Sequence, residues 1–410
     1  MHHVISTPNF PITEDAQFLL ACISVSMGLT PPQALSVDYQ VDWQRFFDMA
    51  VFHQVIPLAY EAIKDRFIDQ MPPHLNAEMS EFHTTAKFRS LMLKGELKKV
   101  RALFEQHHIA AMPIKGPLIA KLYDNPTLRS PGDLDISIPR QQIRAAVDLL
   151  CENGYTRNLD LSPAQEALWI ASRQGYDLYN SQNSVAIDVH SDITSGRSPL
   201  ILPLEDMVQH LTQVELDGDS IPNPSPEYFF LFLCIHETKH LWMHLKGLCD
   251  LAQFLHHYED NLDWDWILTE ARQRGGESMV LVNTYLAYYL LGAPVPSVIQ
   301  SLWNEQTATI AEKVVSDRIF EDTLSTWETI RLKLQMIQGW HRRLDYIIRL
   351  IWIPQETNLP RLPVSARLYG VFYVMRPMQM LILALTRWGR NLFMRRNRAH
   401  LMPGGTFSDS

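Results

Sequence analysis

Between residues 129 and 138 the chain reads Arg-Ser-Pro-Gly-Asp-Leu-Asp-Ile-Ser-Ile, so its two acids, Asp133 and Asp135, are separated by one apolar residue. On a strand, alternate side chains share a face. Both carboxylates then point one way while Leu134 and Ile136 enter a core. Two carboxylates side by side repel each other, and a divalent cation that prefers oxygen ligands relieves the repulsion: Mg²⁺, with Mn²⁺ as the alternative. A third acid, Asp188, interrupts the apolar run Val185-Ala-Ile-Asp-Val-His190. A carboxylate in such a run is costly unless it is paired or metal-bound. Three strand-borne acids can hold two metals that clamp the attacking and leaving oxygens of phosphoryl transfer. Asp133, Asp135 and Asp188 are therefore the candidate catalytic residues and metal ligands. His190 shares the face of Asp188, where it either orients that acid, contacts substrate, or is an ordinary hydrogen-bonded strand histidine.

Cations bracket the acids. Lys115-Gly116 ends a short apolar run, and glycine permits a close backbone approach to a phosphate. Arg129 stands four residues before Asp133. Such charges would counter a triphosphate. Further on, Lys246 and Asp250 lie one helical turn apart; they are either an i,i+4 ion pair or a lysine reaching a phosphate beside a cleft-lining acid. A competing motif is His236-Glu-Thr-Lys-His240, a literal H-E-x-x-H that in zinc proteases places two ligands and a general base on one helix. The extended zinc motif fails, because Met243 and Lys246 occupy its glycine and third histidine positions. His244 continues the row of His236 and His240, but three histidines along one straight helix converge poorly on a tetrahedral ion. A histidine row packed against the body, or lining a cleft, is the plainer alternative. Trp242 and Trp264 read as core residues rather than stacking platforms.

These groups need elements to hold them. Residues 13–66 are expected to be helical, and His74–His107 reads as one long helix after Pro72-Pro73. Ile109–Ile114 is expected as a strand, Leu118–Tyr123 as a short helix and Leu134–Ile138 as a strand. Gln141–Asn153 reads as a helix stopped by Gly154. Tyr176–Tyr179 and Val185–Val189 read as two more strands. Pro222, Pro224 and Pro226 lead into a single expected helix, Glu227–Tyr258, and the rest is mostly helical. Asp42-Trp43 is echoed faintly at Asp263-Trp264. The expected class is α+β: a small mixed sheet flanked by mainly helical N- and C-terminal regions. The expected divisions are 1–88 helical, 89–200 α/β core, 201–360 helical, and 361–410 a basic amphipathic segment.

The 410 residues are 46% hydrophobic and 20% charged, with 36 Lys+Arg against 45 Asp+Glu and a net charge of -9. Ordinary globular composition excludes a disordered or low-complexity chain, and the acidic total argues against a long nucleic-acid track. Residues 361–410 run the other way, with eight Arg and one acid, Asp409. That segment is expected either to pack on the acidic body or to touch a membrane surface or polyanion. Cys22, Cys151, Cys234 and Cys249 form no C-x-x-C pair, which points to a reduced, cytoplasmic protein. The first residues lack the pattern of a signal peptide, and no apolar run reaches the length of a spanning helix.

The order strand, glycine, short helix, D-x-D strand, later acidic strand resembles the nucleotidyltransferase superfamily typified by DNA polymerase beta. More closely, the chain is similar to a bacterial nucleotidyltransferase family carrying KGxxLxxxLYxxPxxRxxxDLDhLh. Here that reads Lys115-Gly116-Pro-Leu118-Ile-Ala-Lys-Leu122-Tyr123-Asp-Asn-Pro126-Thr-Leu-Arg129-Ser-Pro-Gly-Asp133-Leu134-Asp135-Ile136. Gly154-Tyr155, then Ile187-Asp188-Val189-His190, and the stretch from His236 to Asp250-Leu251 match later family motifs. The distinctive matches span roughly residues 110–255. The resemblance implies Asp133 and Asp135 as ligands of two Mg²⁺ ions, and Asp188 as ligand of the catalytic ion and proton acceptor. It implies Lys115, Gly116 and Arg129 near the phosphates, with Lys246, His190, His240 and Asp250 as further cleft candidates. The implied reaction moves a nucleoside monophosphate from an NTP to an acceptor that is a small molecule, a peptide or protein, or a nucleic acid. One departure is Pro117, which brings neither the N–H nor the hydroxyl that the wider superfamily places after its glycine. The alternatives are a non-catalytic nucleotide- or partner-binding protein that keeps the fold and, less favoured, a zinc hydrolase built on His236, Glu237 and His240.

Overall fold

Prolines and small capping side chains set many of the element boundaries. In the computed structural model, which describes residues 10–321 and 323–353, the chain opens with α1 (Glu14–Ser26), α2 (Trp43–Phe52), α3 (Ile56–Ile63) and the long α4 (Pro73–Gln106). Next come β1 (Met112–Pro113), α5 (Pro117–Ala120), β2 (Leu134–Ser137), α6 (Ile143–Glu152), β3 (Thr156–Arg157), α7 (Pro163–Ala171), β4 (Tyr176–Asn180) and β5 (Val185–His190). After α8 (Leu204–Val208), β6 (Leu211–Leu216) and β7 (Asp219–Pro224) form a hairpin. The described chain closes with α9 (Pro226–His240), α10 (Leu245–Tyr258), α11 (Trp264–Arg274), α12 (Glu277–Leu291), α13 (Ser297–Gln300), α14 (Glu305–Val314), α15 (Thr326–Met336) and α16 (Trp340–Trp352). The basic segment expected at 361–410 lies outside the described residues. No helix among the described residues is long and apolar enough to cross a membrane.

The echo of Asp-Trp has a local cause. Asp42 and Asp263 are both N-cap residues, accepting hydrogen bonds from Arg45 N at 3.0 Å and Trp266 N at 2.9 Å. Each satisfies one of the orphan donors at a helix start.

Five strands form one mixed sheet in the order β1-β2-β5-β4-β3, with β2 and β5 parallel and the other pairs antiparallel. Strand alternation is clean: Val185, Ile187 and Val189 are buried, while Ala186, Asp188 and His190 are only partly so. The apolar face packs on Leu93, Leu97, Val100 and Phe104 of α4 and on Ile143, Val147 and Leu150 of α6. A second core joins α1, α2, α3 and the start of α4 to α9 through α16. The helical residues before and after the sheet therefore share one apolar interior.

Three expectations change. The strand expected at Ile109–Ile114 is reduced to Met112–Pro113, because Ile109 and Ala110 are taken by the close of α4 and by the Gln142 side chain. The prolines expected to lead into the 227–258 helix lie partly in a hairpin, with Pro222 and Pro224 on β7. The hairpin turn is Asp217-Gly218, with φ of 55° and 81°, the left-handed pair favoured by a two-residue hairpin turn. The helix expected at Glu227–Tyr258 is broken into α9 and α10 by Leu241 and Trp242, both at φ 50°. No glycine or proline marks the break. Burial of both side chains and the 2.9 Å hydrogen bond from Trp242 Nε1 to Asn283 Oδ1 hold the two residues in that strained conformation.

Candidate functional site

The parallel register of β2 and β5 sets Asp135 directly beside Asp188, and the antiparallel register of β4 sets Asp177 on the other flank of Asp188. Register partners face the same way, so three carboxylates form a row across three strands. Burial first, and then Asp133, Asp177 and Asp135, push the Asp188 carboxyl up to about 8. Asp135 goes the other way. Its burial alone would raise it, but Lys115 and the hydrogen bond from His190 outweigh that and hold it well below the usual carboxylate range. The distances are 3.5 Å from Lys115 Nζ to Asp135 Oδ2 and 3.2 Å from His190 Nε2 to Asp135 Oδ1. Asp133 precedes β2 and lines the same cavity.

Lys115 reaches this row because the main chain before it is tied to β2, with Ile114 N donating to Asp135 O at 2.9 Å. Gly116 has φ 66° and ψ -124°, and a Cβ there would stand 3.1 Å from the Asp133 carbonyl oxygen. Only glycine meets both conditions without strain. Pro117 follows at the first position of α5, where a missing N–H costs no helical hydrogen bond.

Arg129 and Asp250 form a buried clasp. Arg129 Nε donates to Asp250 Oδ1 and Nη2 to Oδ2, both at 2.8 Å, and Tyr123 OH donates to Oδ1 at 2.9 Å. Arg129 Nη1 lies 3.4 Å from Gly116 O. The clasp ties α10 to the loop that carries the acids. Of the two alternatives for Lys246 and Asp250, it removes the i,i+4 ion pair: Asp250 is saturated by Arg129 and Tyr123, and among the described residues Lys246 has no acid within ion-pairing distance. Burial first, and then Arg129, push the Lys246 ammonium down to about 8.

The break after α9 removes His244 from the row expected with His236 and His240. His244 instead precedes α10, with Nδ1 2.7 Å from Phe52 O. The His236 and His240 rings remain adjacent, with centroids 4.7 Å apart. Among the described residues no third ligand stands with them at metal-binding distance. His236 Nε2 is 3.2 Å from Lys115 Nζ, and burial followed by Lys115 keeps its imidazole well below the ordinary range. Glu237 is buried against Gly247, where a Cβ would fall 2.1 Å from its carboxylate. Burial and then Asp250 push Glu237 up to about 8. Trp242 and Trp264 are buried, as core residues should be.

The acids and cations meet in a cavity of about 410 Å³ between the polar face of the sheet and the α9–α10 wall. Lys115, Gly116, Arg129, Asp133, Asp135, Asp188, His190, His236, His240, Lys246 and Asp250 all line it. Carboxylate and imidazole atoms of Asp135, Asp188 and His190 lie within 4.8 Å of one another. This donor set fits a divalent cation, since the repulsion of Asp188 by Asp133, Asp177 and Asp135 outweighs the attraction of Lys115, and a cation would relieve it. Sequence reasoning missed Asp177, Lys239, Thr194, Ser195 and Ser198. Asp177 was detectable from the alternation Tyr176-Asp177-Leu178; the loop after β5 carries no local signal.

No curated protein matches the chain. A solved structure, an antigenic nucleotidyltransferase-like protein from Paracoccidioides brasiliensis, is similar to 52% of this chain over 95% of its own, at 12% identity and a TM-score of 0.28. The model of the uncharacterised nucleotidyltransferase family matches residues 39–292. With that match spanning more than half of its length, the chain belongs to the uncharacterised nucleotidyltransferase family.

Proposed function

We propose that the protein transfers a nucleoside monophosphate from an NTP to a hydroxyl-bearing acceptor, with release of pyrophosphate. The observation that carries the reading is the register of Asp135 and Asp188 on one sheet face, opposite a wall bearing Lys239 and Lys246. Asp135 and Asp188, with Asp133 beside them and His190 orienting Asp135, would hold Mg²⁺ or Mn²⁺. A cation there would neutralise charge growing on the phosphoryl oxygens. The side chains do the rest. The acceptor oxygen attacks the α-phosphorus, its proton passes to the Asp188 carboxylate, and the bond from that phosphorus to the pyrophosphate oxygen breaks. Lys115 and Lys246 face the phosphates as fixed positive charges, so that positioning and electrostatics supply the acceleration. Arg129 acts through Asp250 by fixing α10, and therefore Lys246, against the acidic face.

The test is isothermal titration of each of the four NTPs, with and without Mg²⁺, into the wild type and Asp133→Ala/Asp135→Ala. Mg²⁺-dependent binding that vanishes in the double variant is the expected result. Absence of binding by folded wild type for every NTP would overturn the reading and favour a non-catalytic member of the family.

A further inference from the structure

Among the described residues His236 and His240 have no third metal ligand, but His236 meets a cation that the proposed transfer needs. Its Nε2 lies 3.2 Å from Lys115 Nζ. An ammonium has donors only. A Lys115 N–H therefore points at His236, Nε2 must carry a lone pair, and the ring proton sits on Nδ1. Glu237 Oε1 is 4.0 Å from the same Nε2. That is beyond hydrogen-bond reach, so the carboxylate does not compete for this nitrogen.

Three groups surround the Lys115 ammonium. Asp135 Oδ2 is 3.5 Å away, His236 Nε2 is 3.2 Å away, and the Phe232 ring has its centroid at 5.8 Å. Phe232 and His236 are one turn apart on α9, and Asp135 is on β2. Sheet and helical wall thus hold the ammonium from two sides, and the Lys115 side chain is 15% exposed. The His236 ring stands in a row of its own, with centroids 5.7 Å from Phe232 and 4.7 Å from His240. The choice of group at 236 matters. A second carboxylate beside Lys115 would cancel the charge that a phosphate must feel, whereas a neutral imidazole fixes its direction and leaves the charge. A cation that drew on Asp135 Oδ2 would leave Lys115 still held by His236. Pro117 has no N–H to offer a phosphate, which places the burden in this loop on Lys115.

We propose that His236 is a positioning residue: its neutral Nε2 accepts from Lys115 and holds the ammonium, charge intact, where a nucleotide phosphate can meet it. A lysine carries its charge on a flexible four-carbon stem, and fixing that stem beforehand lowers the entropic cost of binding. The first histidine of the H-E-x-x-H motif is then a clamp on a phosphate-binding lysine and not a zinc ligand. The contact stands by itself; its bearing on phosphate rests on the transferase reading.

Two measurements on the full chain test the clamp. The first needs no nucleotide. Long-range ¹H–¹⁵N correlation spectra of histidine-labelled protein in EDTA at neutral pH, with His236 assigned by His236→Gln, should show the Nδ1–H tautomer of a neutral ring, and Lys115→Met should shift its Nε2 signal. An Nε2–H tautomer in the wild type, or a ring indifferent to Lys115→Met, overturns the proposal. The second is a double-mutant cycle on Mg²⁺–NTP affinity, carried to nucleotide concentrations at which losses of about a hundredfold are still read. His236→Leu should weaken binding about tenfold. His236→Gln, whose amide oxygen can accept, should recover most of that loss. In a Lys115→Met background His236→Leu should cost less than about twofold. An equal loss in both backgrounds, or no difference between leucine and glutamine at 236, overturns the proposal in favour of a role in shape alone. Stoichiometric zinc that is lost in His236→Gln overturns it in favour of metal ligation. If no NTP binds the folded wild type, the transferase reading fails, and the tautomer and its dependence on Lys115 still decide the clamp.

Discussion

Replacing Asp250 with alanine should be among the most destabilising single changes near the cavity. Arg129 and Asp250 side chains are 7% and 6% exposed, and their two hydrogen bonds are both 2.8 Å. Asp250→Ala removes three accepted hydrogen bonds, counting that from Tyr123, and strands a guanidinium whose remaining contact is Gly116 O at 3.4 Å. Breaking a buried ion pair from one side costs roughly 3–5 kcal/mol, a large part of the ~5–15 kcal/mol that holds a typical protein folded. Urea unfolding followed by far-UV circular dichroism, extrapolated to water, measures the loss. Arg129→Met/Asp250→Leu removes both charges and fills the space with apolar atoms, so it should recover most of the deficit. Arg129→Lys cannot make the fork and should fall between the two. A cost for Asp250→Ala under about 1 kcal/mol, the worth of an exposed pair, would refute the claim that the clasp is desolvated and fixes α10.

Other expectations follow from the same geometry. Gly116→Ala forces a Cβ to 3.1 Å from the Asp133 carbonyl at a φ of 66°, and should cost on the order of 1–3 kcal/mol while weakening Mg²⁺–NTP binding; an unchanged melt and affinity would argue against the close approach. Asp188→Asn relieves repulsion from Asp133, Asp177 and Asp135, so in EDTA it should melt above wild type, and Mg²⁺ should raise the wild-type midpoint but not that of the variant. Equal Mg²⁺ shifts in both would remove Asp188 from the metal site. His53 is buried and held down to about 4 by burial and then by His244. Its folded value lies below its unfolded one, so its contribution is complete above about pH 6.5 and is lost as pH falls toward 4, by about 3 kcal/mol at most. His53→Gln should flatten that part of the stability–pH curve, and a curve of unchanged shape would show that another group titrates there.

The acid-bearing strands were legible because their signal is local. Asp133-Leu-Asp135-Ile and Ile187-Asp188-Val189 alternate with period two, so the composition of four or five residues already sorts acids from core. The glycine at 116 and the long helix after Pro72-Pro73 were equally visible. Asp217-Gly218 would have marked the hairpin had its turn chemistry been given weight over the prolines that follow. The break between α9 and α10 had no such marker. Leu241 and Trp242 take left-handed backbone because each side chain is buried in the helical core and Asn283 accepts the indole N–H, and that compensation comes from 41 residues away.

By itself, then, the sequence marked which acids and cations are candidates for phosphoryl chemistry and on what kind of element each would sit. Tertiary structure decided how they combine. Strand order and register placed Asp188 between Asp135 and Asp177; the 121-residue span from Arg129 to Asp250 closed into a clasp, so that Asp250 does not pair with Lys246 one turn away; and the helix break turned His244 away while leaving Lys239 and Lys246 in the wall of one cavity. Periodicity fixes the face a side chain takes within its own element. Which two faces meet depends on long-range pairing and burial, for which neighbouring residues carry no record.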